Sequence, residues 1–534
     1  MSLVHPNLNK YFPRRQFPSD DDSDDEIPLI QLAEHQKNEW SENLHGIRTQ
    51  QFEGNPGPTS FLSEDKYEID FFEQIFKPEI YEDMYAVRKM REKPDEKWRE
   101  VTVADIKAYI GFQIVMGVII APRLDDYFST DEMFGICGIK HRINRDRFDK
   151  INQYFHAADT SMNPPRGDAG HDKIAHVRPV LEKVRTSLSS AYRPHRESTI
   201  DEAMVAYTGR LSIKQYVPMK PTKRGIKVWV RADPHNGFIN DFQVYLGKEN
   251  NTGEYGLGER VVLDLTRDIL NRGHHIYMDN FFTSVKLFEK LEENDTYACG
   301  TVRAQRQGVP PQIRNANIKN QGESVIMQKR NMVALTWKDK RPVNLLSTNT
   351  DPRRQTTVLR RQKDGSRIDV PCPEVVKNYT KFMNGVDRAD QLRALYSCGR
   401  KASKWWKYLF WFLVDISIVC GYILMKESPN HQRKSRNGRQ KQLSMVDYRK
   451  SLAKQLIGIY MVRNKRKAMK ENTSYADGSN CWVADMGKKR RCEHCKPRGI
   501  RREPRFGCEA CGVNLCVECF KPYHLERFPD RYTR

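Results

Sequence analysis

The sequence predicts a multidomain α/β chain: a mixed α/β domain that carries an insertion, flanked by helical segments and followed by a cysteine-rich module. Three observations predict it. Near Ser198 the hydrophobic period switches from helical to strand-like, and several strands are then followed by helix, strand, helix and strand, the order of an α/β domain. Helical spacing of apolar residues dominates before and after that domain. Seven of the twelve cysteines fall between Cys481 and Cys519, too bunched for a disulfide scaffold. A length of 534 residues accommodates about three or four structural units.

The elements follow in order. Residues 1–62 are poor in periodic apolar positions, contain the acidic run Asp20-Asp21-Asp22-Ser23-Asp24-Asp25-Glu26 and the turn former Gly54-Asn55-Pro56-Gly57-Pro58, and read as a disordered tail. Residues 63–195 read as helical. Phe71, Phe72, Ile75 and Phe76 recur at helical spacing, Thr102-Val103-Ala104-Asp105 has the form of a helix start before a long apolar run, and a third helix passes through Phe148.

Residues 196–303 form the first part of the α/β domain. Strands are predicted at 199–207, 211–217, around Ile226, Val228 and Val230, and at 238–246; a helix follows at 258–271, a strand at 275–278, a helix at 283–292 and a strand at 297–302. Residues 304–372 are rich in Arg, Gln, Asn and Pro with short β runs and read as an insertion domain; 373–400 return to the α/β domain and 401–470 are helical. Within them, 408–425 are apolar and long enough to suggest a membrane span, but Asp415 lies at the centre and Lys401, Lys404 and Lys407 crowd one end. A buried core helix is the expectation. A linker at 471–487 leads to the cysteine-rich module at 488–534.

Charge narrows the function. The formal net charge is +22, and residues 431–534 hold 26 basic against 10 acidic side chains. The isoelectric point near 9.4 favours a polyanionic partner, nucleic acid first, and the mean hydropathy of −0.74 argues against a polytopic membrane protein. The N-terminus has no basic-then-apolar secretory plan, so bunched cysteines imply metal ligands in a reducing compartment, with the nucleus as the expected location.

Acidic residues fall where a two-metal nuclease needs them. Asp201 lies on the first strand of the α/β domain, Asp279 ends a later strand, and Asp387 and Asp390 open a helix at i,i+3 spacing, which puts both on one face. In-line cleavage of a phosphodiester is served by two hard cations about 4 Å apart, and Mg²⁺ prefers such carboxylate oxygens. A ribonuclease H-like fold brings these three places together.

The segments Asp201-Glu202-Ala203-Met204-Val205-Ala206-Tyr207-Thr208-Gly209-Arg210, Val217-Pro218-Met219-Lys220-Pro221-Thr222-Lys223-Arg224-Gly225-Ile226-Lys227, Met278-Asp279-Asn280-Phe281-Phe282-Thr283-Ser284 and Gly385-Val386-Asp387-Arg388-Ala389-Asp390 resemble the piggyBac family of DNA transposases over roughly residues 65–534. The resemblance implies that Asp201, Asp279 and Asp387 are catalytic, with Asp390 supporting a site for Mg²⁺ (or Mn²⁺). It implies cut-and-paste transposition through hairpin ends with insertion at TTAA, double-stranded DNA as partner, and a homodimer, with 63–195 and 401–470 serving dimerisation and DNA binding. The alternative is a domesticated transposase-derived DNA- or chromatin-binding protein without catalysis.

Basic and aromatic residues are expected on the DNA: Lys214, Lys220, Lys223, Arg224 and Lys227 beside the first strands, and Trp405, which matches a family tryptophan near the DNA ends. Solvated strand-edge lysines and a core tryptophan are the competing readings. In the module, Cys492, Cys495, Cys508, Cys511, Cys516, Cys519 and His524 exceed one tetrahedral site and predict two interleaved Zn²⁺ ions. The expected split is Cys492, Cys495, Cys516 and Cys519 on one, and Cys508, Cys511 and His524 on the other, with His494 the nearest fourth ligand. Arg498, Arg501 and Arg502 give this module a surface suited to DNA, and a zinc-dependent ubiquitin ligase is disfavoured because a fourth ligand pair is missing.

Overall fold

The computed structural model describes residues 39–84, 99–131, 133, 136–218, 220–248, 254–431, 433–434, 440–441, 443–458, 460, 483–509 and 511–527. The acidic run at 20–26 lies outside them, as does Arg463-Asn464-Lys465-Arg466-Lys467, a basic run that by its sequence could be a nuclear import signal. The chain divides into two compact units, Met1–Ile120 with Ile151–Leu456, and Ala121–Lys150 with Ile457–Arg534.

The first unit is built on a nine-stranded sheet. Its strands are β1 (Glu197–Ala206), β2 (Lys214–Tyr216), β3 (Arg224–Ala232), β4 (Ile239–Val244), β5 (His275–Met278), β6 (Tyr297–Thr301), β7 (Ser324–Lys329), β8 (Met332–Lys338) and β9 (Pro342–Ser347). They lie in the order β2-β3-β1-β5-β6-β9-β8-β7, with β4 also on β3. β1, β5 and β6 are mutually parallel, and the other pairings are antiparallel. The helices used below are α1 (Glu68–Ile75), α2 (Val103–Val118), α3 (Arg178–Ala191), α4 (Leu257–Thr266), α5 (Val285–Glu292), α6 (Glu374–Phe382), α7 (Gly385–Ala394), α8 (Trp406–Glu427), α9 (Met445–Ile457) and α10 (Val517–Arg527). Parallel neighbours need crossovers, and α4 before β5 and α5 before β6 stand in those connections.

The pleat sorts the core. Ile276 and Met278 of β5, Ala298 of β6 and Ala334 of β8 join Val262 and Leu265 of α4 and Leu287 and Phe288 of α5. The residues between them, Tyr277, Cys299, Val333 and Leu335, point to the opposite face and meet Val375, Val376 and Phe382 of α6. Burial of each of the Val, Leu, Ile, Phe and Met side chains contributes about 1.5–3 kcal/mol.

Among the helices, α2 starts as the sequence predicts. Thr102 Oγ1 accepts from Asp105 N–H at 3.3 Å, and Asp105 Oδ2 accepts from Thr102 N–H at 2.9 Å. Helix α8 is buried almost throughout, as expected for the 408–425 run. Phe410 of α8 lies 6.3 Å from Phe76, and Gly421 explains how α1 comes so close: a Cβ there would meet Phe72 Cα at 3.0 Å and Phe71 O at 3.1 Å.

Two expectations are corrected. Residues 39–62, read as part of a disordered tail, are ordered by hydrogen bonds to the sheet domain. Ser41 pairs with Gln328 on the edge strand β7, Trp40 Nε1 donates to Gly308 O at 3.0 Å, and Gln50 N–H donates to Tyr297 Oη at 2.6 Å. With these bonds, Trp40 and Ile47 pack against the two core clusters, so a segment without periodic apolar positions is still held to the sheet. Residues 304–372, read as an insertion, do not stand apart. β9 pairs with β6 (Leu345 opposite Thr301), so β7–β9 extend the same sheet, and only the hairpin of β10 (Gln355–Arg361) and β11 (Arg367–Pro373) forms a separate two-stranded sheet.

In the second unit, β12 (Val483–Asp485), β13 (Phe506–Cys508) and β14 (Val513–Asn514) form a three-stranded sheet. Helix α10 follows, and the core there is Leu515 and Tyr523 with Cys492, Cys495, Cys508 and Cys519, so sulfur fills space that large apolar side chains occupy elsewhere.

Candidate active site and metal clusters

Register sets the first two carboxylates. Glu197, Ser198, Thr199 and Ile200 of β1 pair in parallel with His275, Ile276, Tyr277 and Met278 of β5, so Asp201 and Asp279 come next on adjacent strands. Asp279 opens a turn: its Oδ1 accepts from Phe281 N–H at 2.9 Å and its carbonyl accepts from Thr283 Oγ1 at 2.9 Å. Helix α7 brings Asp387 and Asp390 over β1. Thr199 Oγ1 donates to Phe382 O at 2.6 Å just before this helix, and Gly385 lets it sit close, since a Cβ there would meet Thr199 Oγ1 at 2.8 Å and Ala232 O at 3.1 Å.

Lys220, on the loop between β2 and β3, stands among these groups. Its Nζ lies 3.5 Å from Asp201 Oδ2 and 3.7 Å from Glu202 Oε1, and its charge also acts on Asp279, Asp387 and Asp390. Burial pushes the Asp201 carboxyl up to about 6, with Lys220 opposing and Glu202 and Asp279 adding to the rise. Burial likewise raises Asp279 and Asp390, the latter against the pull of Arg393, which pairs with it at 3.1 Å. Asp387 is exposed. Carboxylates with oxygen donors only, three of them partly buried, are a fit for a hard divalent cation. Among the described residues the four do not close into a group within 4.8 Å of one another, the spacing that the cysteines reach.

The residues expected on DNA have other contacts here. Lys214 donates to Gly209 O at 2.7 Å, Arg224 lies over the Tyr216 ring, and Lys223 is exposed. Lys227 pairs with Glu202 at 3.3 Å and lies over the Phe281 ring at 4.7 Å. Trp405 is half-buried at the start of α8, edge-on to His176, while its neighbour Trp406 is the buried one. Arg498, Arg501 and Arg502 pair with Glu526, Glu503 and Glu518 on the module surface. Exposed pairs of this kind are worth about 0–1 kcal/mol and yield readily to phosphate.

The module gathers two groups whose ligand atoms lie within 4.8 Å: Cys492, Cys495, Cys516 and Cys519, and Cys508, Cys511 and His524. Cys495 and Cys519 sulfurs are 3.3 Å apart, and Cys511 Sγ lies 3.4 Å from His524 Nε2. Burial works against the Cys492 thiolate, but backbone N–H groups, Cys516 first, bring the thiol down to about 7; burial and the neighbouring sulfurs push Cys519 up to about 12. Four thiolates this close repel one another unless a cation sits among them, and the donor set and closed spacing fit Zn²⁺. His494 does not complete the second group; its Nε2 faces Glu526 Oε1 at 3.3 Å.

A family profile described as Transposase IS4 matches residues 68–422. The human "PiggyBac transposable element-derived protein 3" is 27% identical over 441 residues, covering 80% of this chain and 71% of that protein. The human "PiggyBac transposable element-derived protein 5" is 26% identical over 448 residues, covering 79% and 81%. The chain belongs to the piggyBac-type transposase family. Its mixed α/β fold is that of a solved piggyBac transposase in a synaptic complex with hairpin DNA, with a TM-score of 0.67, 22% identity, and coverage of 88% of this chain and 100% of that one.

Within this piggyBac-type chain, the matched segment contains all four aspartates and stops short of the cysteine module. Sequence reasoning missed Glu202, which spans Lys220 and Lys227, and Arg393, which holds Asp390. Arg393 had a legible signal, lying three residues after Asp390 on one helix. Glu202 had none, because its partners come from a loop and a neighbouring strand.

Proposed function

We propose that this protein is a cut-and-paste DNA transposase that excises a transposon through hairpin ends and integrates it at TTAA sites by phosphoryl transfer. The observation that carries the reading is the placement of Asp201 and Asp279 on adjacent parallel strands with Asp387 and Asp390 on the helix laid over β1. A ribonuclease H-like catalytic domain is supported by the run β4-β3-β1 in antiparallel pairing followed by parallel β5 and β6.

Asp201, Asp279, Asp387 and Asp390 would hold Mg²⁺ (or Mn²⁺), which supplies activation of the attacking oxygen and charge neutralisation at the leaving oxygen. Lys220 is the movable counter-charge of this site. Its four-carbon stem lets the ammonium leave Asp201 for a DNA phosphate when the carboxylates take a cation. Lys214, Lys223, Arg224 and Lys227 flank the same strands and would position the DNA backbone, Trp405 would stack on an unpaired base, and the zinc module with Arg498, Arg501 and Arg502 would hold the transposon ends. Cutting two ends calls for two active sites, hence a homodimer, working in the nucleus.

The test is plasmid excision with cognate ends, wild type against Asp279→Asn. This near-isosteric change should reduce excision at least 100-fold while DNA affinity and folding stay unchanged. Near wild-type excision by the variant would remove Asp279 from the site. A wild type that binds the ends but never excises would make the protein a domesticated DNA-binding relative.

A further inference from the structure

Lys404, Lys407 and His176 gather where α8 begins, around the Trp406 ring, and the charges of all three act on His156. His176 lies stacked 6.2 Å from that ring, and the ammonium groups of Lys404 and Lys407 each lie 6.0 Å from its centroid. Lys407 is 4% exposed, with Nζ donating to Asn152 O and, at 2.8 Å, to Asn152 Oδ1; Lys404 Nζ donates to Gln153 O at 3.1 Å. These acceptors satisfy hydrogen bonds and supply no negative charge. Among the described residues, neither lysine has a carboxylate partner.

We propose that Lys404, Lys407, His156 and His176 form a phosphate subsite that receives a backbone phosphodiester of bound DNA, with Trp405 at its rim. A buried ammonium without a counter-ion costs folding free energy, so its retention calls for an anion that arrives later. Burial and the charge of Lys404 push Lys407 down to about 8, and burial, then Lys404, lowers both histidines. The positive end of a 22-residue helix adds charge of the same sign. Lys404, His156, His176 and Trp405 are only partly buried, so solvent, and hence a phosphate, reaches the cluster. The inference rests on the DNA-binding part of the proposed function and adds residues to it that lie apart from the carboxylates.

The test uses the full chain, a labelled duplex of about 30 base pairs of random sequence, and the slope of log affinity against log salt concentration. Lys404→Met should lower the magnitude of that slope by about one, Lys404→Met with Lys407→Met by about two, and Lys404→Arg should leave it unchanged. Thermal unfolding without DNA separates a structural role: Lys407→Met should unfold no earlier than the wild type, because it removes an unneutralised buried charge. Unchanged slopes in folded variants would overturn the proposal, as would an early-unfolding Lys407→Met combined with an inert Lys404→Met. Stabilisation of the wild type by inorganic phosphate, lost in the variants while the slopes stay unchanged, would mark a free-phosphate site and also overturn it. A wild type with no salt-dependent affinity for the duplex would sink the DNA reading itself.

Discussion

Ile200 and Met278 are register partners on parallel strands, and that one pairing sets Asp201 beside Asp279 although 78 residues separate them in sequence. The second half of the site depends on a different contact, the seat of α7 on β1. Thr199, one residue before Ile200, bonds to Phe382 O there, and Gly385 passes against Thr199 and Ala232.

Gly385→Ala should therefore act on the site without touching a carboxylate. The added methyl would lie 3.1 Å from the Ala232 carbonyl, which cannot move without shifting β3, so α7 must shift instead. We expect excision to fall at least 10-fold, a stability loss of about 1–3 kcal/mol, and unchanged DNA affinity. Thr199→Ala, which removes the Oγ1 at 2.8 Å, should partly restore excision in the double variant; a purely additive result would place the strain elsewhere.

Asp415 and Arg449 form a fully buried pair at 3.3 Å, with Asp415 also accepting from Ser397 Oγ at 2.8 Å and from Cys398 N–H at 3.1 Å. Asp415→Ala strands a guanidinium in the core and should cost about 3–5 kcal/mol, read as a lower urea midpoint. Asp415→Leu with Arg449→Met should recover most of that loss, because the charge leaves with its partner.

Acid should loosen the sheet at its His274-His275 end. Burial, with Arg231 adding for His274 and Arg196 for His275, holds both imidazoles at about 4, below the ordinary 6.5. A depressed histidine contributes stability that is complete above pH 6.5 and is lost as pH falls toward 4, up to about 3 kcal/mol for each. Urea midpoints at pH 7 and pH 5 should differ more for the wild type than for His275→Phe. Equal differences would assign the acid sensitivity to other groups.

Chelation should unfold residues 483–527 while the sheet unit stays folded, since the module's core is largely the cysteines themselves. Structural zinc contributes on the order of 10 kcal/mol in small modules, and Mg²⁺ should not rescue the module because thiolates bind it poorly. Metal analysis should find about two zincs per chain, and Cys495→Ser should lose one. A single zinc in the wild type would mean that Cys508, Cys511 and His524 are not a complete site.

Local pattern carried much of the architecture. The short strand at 275–278 and the capped start of α2 at Thr102 were legible because pleat alternation and side-chain capping depend on neighbours a few residues away. The segment at 39–62 was misread for the opposite reason. Its partners, Gln328 and Tyr297, lie some 250 to 290 residues along the chain, and no local period announces a hydrogen bond to a distant strand edge.

By itself, the sequence determined the order of elements, the basic charge, the candidate carboxylates and the division of seven candidate metal ligands into two groups, because composition, period and short spacings are properties of neighbouring residues. Only the tertiary structure decided that residues 304–372 extend the sheet, that Lys220 stands among the aspartates with Glu202 behind it, and that Lys404, Lys407 and His176 meet around Trp406, with the charges of both lysines acting on His156. Those relationships are set by strand register and helix seating, which bring together charges from segments tens to hundreds of residues apart.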